Sequence, residues 1–233
     1  MQQAIKPVST MLNENYKNQL STNEYQLILS PHEELCNRIR QIKTAFHEAY
    51  QTPAGTTTSS RGGGGAKPNL TILRFTQLAL MEERIVQRLR TIAMGYCPFK
   101  IELKDFGSLP THSIFIQVTS KLPIRGLVKE VRDLQRLMKL DKEHKPYFVE
   151  EPNLLIARNL LPWQYEKAWL EYSNKHFTGR FIADAMLLLR RRANNGPSDE
   201  PHSRFRGDKA WQIAERFAFQ NLPVNTRQGE LFA

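Results

Sequence analysis

Pro68-Asn-Leu-Thr-Ile-Leu-Arg74 recurs as Pro152-Asn-Leu-Leu-Ile-Ala-Arg158, 84 residues further on, with five of the seven positions identical. An internal repeat of this kind predicts two similar half-domains, each lending one strand to a shared site. Strand alternation puts Asn69, Thr71 and Leu73 on one face, and Asn153, Leu155 and Ala157 on the equivalent face of the second copy. With the strands side by side, two carboxamides and one hydroxyl converge on one cleft. The same alternation sends Arg74 and Arg158 to the opposite face, where structural roles are expected.

The flanking sequence divides into elements by pattern. Residues 1–23 are polar and rich in Asn and Gln, which predicts a flexible N-terminal arm, and residues 24–231 are expected to form a single bilobal domain. Tyr25–Ser30 reads as a strand. Pro31 then opens a helix in which Leu35, Ile39, Ile42, Phe46 and Ala49 share a face. Residues 51–67, with glycines at 62–65, read as a flexible loop. Pro68 follows Lys67 where a phosphate-binding P-loop needs Ser or Thr, so the glycines are not that motif. Further helices are expected near 79–94 (on Ile85, Leu89, Ile92 and Ala93), 124–139 and 162–175, and strands near 98–106 and 112–119. Phe181–Arg190 and Trp211–Asn221 read as single late strands, although Lys209–Phe217 also fits a helix. Interleaved strands and helices alone suggest a parallel sheet.

The paired motifs resemble the two signature strands of the 2H phosphoesterase superfamily, in its bacterial 2'-5' RNA ligase-like, cyclic phosphodiesterase branch. That family carries His-x-Thr/Ser in each half, usually as Pro-His-hydrophobic-Thr. Tyr25-Gln-Leu-Ile-Leu-Ser-Pro31, Thr111-His-Ser-Ile114, Lys145-Pro-Tyr-Phe148, Leu161-Pro-Trp-Gln-Tyr-Glu166 and Gly179-Arg-Phe-Ile-Ala183 extend the likeness over residues 24–231. The resemblance implies an α+β, bilobal, pseudo-two-fold fold, with two antiparallel sheets lining a central cleft and helices outside. It outweighs the parallel reading. It also implies cofactor-free attack on a phosphodiester or 2',3'-cyclic phosphate. One His takes a proton, the other gives one, and the hydroxyls hold the phosphate oxygens. Carried onto this chain, the four positions are Asn69, Thr71, Asn153 and Leu155, so both histidines and one hydroxyl are absent. The likeness further implies that His112, Lys145, Tyr147 and Arg180 lie near the cleft, to contact phosphate or stack a base.

Imidazole titrates near neutrality and a carboxamide does not. Each general acid or base is worth roughly 10²–10⁴-fold, so a chain with Asn at both positions is expected to be catalytically impaired. Asn still donates hydrogen bonds through its NH₂. An RNA end or nucleotide phosphodiester is therefore the expected partner, bound by Asn69, Thr71 and Asn153. Two other readings stay open: an active enzyme that uses His112, and a non-catalytic scaffold that works through a basic surface. His32, His47, His144, His176 and His202 show no metal-ligand spacing, so no metal is expected.

The formal net charge of +10 favours an anionic partner. Arg190-Arg-Arg192, with Arg204 and Arg206, is a candidate track for an RNA backbone. An apolar content of 40% with 24% charged residues is that of an ordinary globular protein. Cys36 and Cys97 form no CxxC pair, which fits a reduced, cytoplasmic setting. The N-terminus lacks an apolar signal core, and no apolar run is long enough to span a bilayer. A monomer without membrane contact is expected.

Overall fold

The structure is a computed structural model that describes residues 21–50, 67–193 and 211–222. The expectations on residues 1–20 and 51–66, and on His202, Arg204 and Arg206, lie outside these residues. In chain order the described elements are β1 (Thr22–Leu29), α1 (Glu33–Tyr50), β2 (Leu70–Leu78), a 3₁₀ turn (Ala79–Met81), α2 (Glu82–Gly95), β3 (Phe99–Leu109) and β4 (Ser113–Val118). There follow α3 (Lys121–Arg132), α4 (Gln135–Met138), β5 (Tyr147–Phe148), β6 (Asn153–Arg158), α5 (Pro162–Tyr172), β7 (Thr178–Ala183), β8 (Ala185–Arg192) and β9 (Gln212–Ala218).

The strands form a five-stranded sheet of order β5-β2-β1-β8-β9 and a four-stranded sheet of order β6-β4-β3-β7. All described pairings are antiparallel, as the α+β expectation required. The repeat is placed so that one copy lies beside an edge and the other forms an edge: β2 is second in its sheet and β6 is outermost in the other.

Helices cover one face of each sheet. α2, α3 and α4 pack on the five-stranded sheet, and α1 and α5 pack on the four-stranded one. The reason is visible in the burial pattern. α1 buries Leu35, Cys36, Ile39, Phe46 and Tyr50, while α2 buries Ile85, Leu89 and Ala93, the one-sided stripe that a period of 3.6 creates. These stripes meet Leu27, Leu29, Leu70, Ile72, Ile101, Ile114, Ile116 and Leu154 in one core. Tyr25 ties sheet to helix: its hydroxyl donates to Glu82 at 2.7 Å, and Arg190 bonds the same carboxylate at 2.8 Å. The two sheets meet where β2 contacts β6, and the side of these strands turned away from the described helices is the cleft face.

Several boundaries differ from expectation. β1 begins at Thr22, so the arm stops short of residue 23. In α1, Tyr50 is buried where Ala49 was expected, and Ala49 is exposed. The helix expected over 124–139 is interrupted after Arg132 and resumes as the short α4. The strand expected over Phe181–Arg190 is two strands in different sheets, broken at exposed Asp184 between buried Ala183 and Ala185. Asp184 fixes that crossing, because its carbonyl accepts the Phe219 N–H at 2.8 Å and its carboxylate pairs with Arg216 at 2.7 Å. Gln212–Ala218 is a strand, which decides against the helical alternative.

Candidate functional site

β2 and β6 approach each other across the gap between the sheets. In β2, Leu27 pairs with Leu73 and Ile28 with Thr71, so Ile72 is an extra, unpaired residue. In β6, Ile114 pairs with Ala157 and Phe115 with Leu155, so Ile156 is extra. The two bulges fall at the same position of the repeat. A bulge sets two residues against one and offsets the alternation beyond it by one. The face assignments made from strict alternation are therefore corrected. Leu73 is buried opposite Leu27, and Ala157 packs opposite buried Ile114, so both leave the cleft face. Arg74, paired with Gln26, and Arg158, paired with Ser113, take their places on it.

Asn69 and Asn153 are half-buried at the start of each motif. The Asn69 amide donates to the Lys67 carbonyl at 3.1 Å, and the Asn153 amide donates to the Glu151 carbonyl at 3.4 Å. Both halves thus use one amide N–H on the residue two positions earlier, and the other has no partner among the described residues. Thr71 is more committed. Its hydroxyl accepts from buried Gln26 Nε2 at 2.5 Å and donates to Asn69 Oδ1 at 3.5 Å. Leu155 stands beside Phe115 in register, so its quadrant is apolar. Phe115 in turn lies over Gly107, where a Cβ would stand 2.6 Å from the ring.

Arg74 pairs in register with Tyr147 of β5, a ring left 65% exposed. The Arg74 guanidinium is held below the ordinary arginine range, first by desolvation and then by repulsion from Arg158, with Tyr147 opposing and Arg191 adding to the push. Among the described residues, neither Arg74 nor Arg158 has an ion-pair or hydrogen-bond partner for its side chain. Arg191 does: it pairs with Glu24 at 2.5 Å and lies 4.5 Å over the Trp211 ring. Two of the three arginines at 190–192 are therefore engaged by carboxylates. Arg190 turns to the helix side to meet Glu82, and Arg191 is neutralised by Glu24.

The remaining expected residues are spread more widely. His112 lies exposed in the β3–β4 turn. Its N–H donates to the Leu109 carbonyl at 3.0 Å, and its carbonyl accepts from Leu160 at 3.2 Å. Among the described residues its ring makes no hydrogen bond. Lys145 is exposed in the loop before β5. Arg180 is exposed on β7, in register with Glu102, with β3 and β4 between it and β6. The motif strands thus gather Asn69, Thr71, Asn153, Leu155 and, through Arg74, Tyr147. His112 adjoins Ser113, the partner of Arg158, Lys145 lies two residues before Tyr147, the partner of Arg74, and Arg180 stands three strands away from β6. Gln26, Arg74, Arg158 and Arg191 were not anticipated at the cleft. The Arg at the seventh position of both copies is the available signal; strict alternation sends it to the other face, and the bulges bring it back.

Among the described residues no three His, Cys, Asp or Glu side chains cluster as a metal site. No described helix is long and apolar enough to cross a membrane.

No curated protein sequence matches the chain. Among solved structures, Escherichia coli LigT complexed with 3'-AMP superposes with a TM-score of 0.52 at 12% identity, covering 85% of this chain and 98% of that one. A structure described as a phosphoesterase superposes with a TM-score of 0.49 at 12% identity, covering 84% of this chain and 98% of that one. At such low identity the LigT likeness shows the fold, two antiparallel sheets with helices outside. The sequence profile of the 2'-5' RNA ligase superfamily matches residues 31–195, a span that takes in both motif strands, and the chain belongs to that superfamily.

Proposed function

We propose that the cleft binds the phosphate of an RNA end or a nucleotide and does not turn it over efficiently. The observation that carries this reading is the Arg74–Arg158 pair: two guanidiniums on the cleft face of the motif strands, with no ion-paired carboxylate among the described residues. Cations held close together in a partly desolvated groove are stabilised by an anion placed between them. The remaining amide N–H groups of Asn69 and Asn153 add neutral donors beside them. LigT shares the fold and was crystallised with 3'-AMP, so a nucleotide is the ligand class to try first.

The impairment follows from proton transfer. Asn69 and Asn153 stand where the family motif calls for His, and an amide cannot exchange a proton near neutrality. Thr71, the remaining motif hydroxyl, is held between Gln26 and Asn69. Both motif strands belong to one chain, so the binder needs only a single copy. Its two free cysteines, Cys36 and Cys97, suit a reducing cytoplasm.

Hydrolysis of an oligonucleotide ending in a 2',3'-cyclic phosphate, in chelator, tests the impairment. The unmodified chain is expected to be inert, and the restored variant Asn69→His, Asn153→His, Leu155→Thr is expected to turn over. Hydrolysis by the unmodified chain would overturn the reading. Fluorescence anisotropy with the same oligonucleotide tests binding. The unmodified chain should bind it, and Asn69→Ala with Asn153→Ala should weaken that binding.

A further inference from the structure

We propose that Arg74 and Arg158 make the cleft selective for a terminal 2'- or 3'-phosphomonoester over a cyclic or internal phosphodiester, so that the protein captures the end left when a cyclic phosphate has been opened. This rests on the reading of the cleft as a phosphate site and adds what kind of phosphate fits it.

The argument is one of charge matching. The two bulges, at Ile72 and Ile156, turn an arginine from each half onto the same face. Arg191 stands near Arg74, and its charge is taken up by Glu24. That leaves the charges of Arg74 and Arg158 without an ion-pair partner among the described residues. A phosphodiester, cyclic or internal, brings one negative charge and balances one of them. A phosphomonoester carries about 1.5–2 negative charges at neutral pH and balances both. It also offers three terminal oxygens, and guanidinium forks bind such oxygens in pairs.

The neutral groups agree with that ligand. Among the described residues Asn69 and Asn153 each have one N–H left to give, which suits an oxygen-rich acceptor. Tyr147 is exposed in register with Arg74 and presents an aromatic face beside the phosphate seat. Bases stack on such faces with little regard to sequence. The nucleotide end is therefore favoured over free phosphate.

The test compares three oligonucleotides of one sequence, labelled at the 5' end and finishing in a 3'-phosphate, a 2',3'-cyclic phosphate or a 3'-hydroxyl. The 3'-phosphate is expected to bind about tenfold or more tightly than either of the others, the worth of one further charged contact. Arg74→Gln and Arg158→Gln should each erase that preference, and Arg74→Lys, which keeps the charge and loses the fork, should keep part of it, which excludes a general folding defect. 3'-AMP should compete far better than inorganic phosphate. Equal competition would overturn the nucleotide part of the proposal. Equal affinity for all three ends, with binding still dependent on Asn69 and Asn153, would overturn the selectivity and leave the cleft reading standing. No cleft-dependent binding of any end would overturn both.

Discussion

At Thr71, the chemistry of a side chain depends on what already holds it. A free threonine hydroxyl offers one proton and two lone pairs. Here Gln26 donates to it at 2.5 Å and its own proton points to Asn69 at 3.5 Å. Gln26 is buried on the cleft face, so its amide has little alternative. Thr71 and Gln26 are expected to couple by about 1 kcal/mol, the net worth of one neutral hydrogen bond. Denaturant unfolding of Gln26→Leu, Thr71→Val and the double variant measures this. Additivity within roughly 0.3 kcal/mol would show that the contact contributes nothing to stability. The sequence presented Thr71 as the surviving motif hydroxyl but concealed Gln26. Glutamine in a strand has no pattern that separates a buried hydrogen-bonding role from a solvated one. The two asparagines were legible as repeat partners. The carbonyls of Lys67 and Glu151 that hold them were not, because those bonds depend on backbone direction and not on residue type.

Among the elements, the motif strands show most clearly how a site departs from its pattern. Their existence, order and likeness were readable, because the repeat needs only local sequence. The bulges were not. Ile72 and Ile156 are apolar β-branched residues that fit an unbroken strand equally well. Only the register against β1 and β4 reveals the extra residue. The consequence is large for function, since it moves both arginines into the cleft. Neighbouring β3 and β4 carry a related constraint. Gly107 lets the Phe115 ring cross the sheet on the cleft face, and a Cβ there would meet Phe115 Cε2 at 2.6 Å and Gln117 Cγ at 2.9 Å. Gly107→Ala is therefore expected to cost about 1–3 kcal/mol, the range for forcing an extra methyl group into a filled space. It should also displace Phe115 beside Leu155. Chemical denaturation reads the first effect, and the change in Phe115 ring resonances reads the second. An unchanged midpoint would mean that the ring moves freely and has no fixed place at the cleft.

For the whole molecule, the question is whether the charge of +10 acts as a surface or as a site. Much of the visible charge is paired: Arg90 with Glu215, Lys121 and Arg125 with Glu151, Arg190 with Glu82, Arg191 with Glu24 and Arg216 with Asp184. Exposed pairs of this kind add little stability, but they remove cations from any extended RNA track. Arg74 and Arg158 have no ion-pair partner among the described residues, and they stand on the two strands that meet at the junction of the sheets. Composition displayed the total charge and hid its distribution, because pairing depends on which strands become neighbours. Remote surface charges are screened beyond about 10 Å at 0.1 M salt, so they steer an approaching strand without holding it. Binding through two cationic contacts predicts a shallow salt dependence. For a single-stranded ligand the slope of log affinity against log salt is about −0.7 per contact, hence about −1.4 here. Titration of the 3'-phosphate oligonucleotide from low to high salt measures it. A slope several times steeper would mean that the basic surface carries the binding, and the scaffold reading would then displace the cleft. A shallow slope that flattens further in Arg74→Gln would tie the affinity to the two arginines that the bulges deliver.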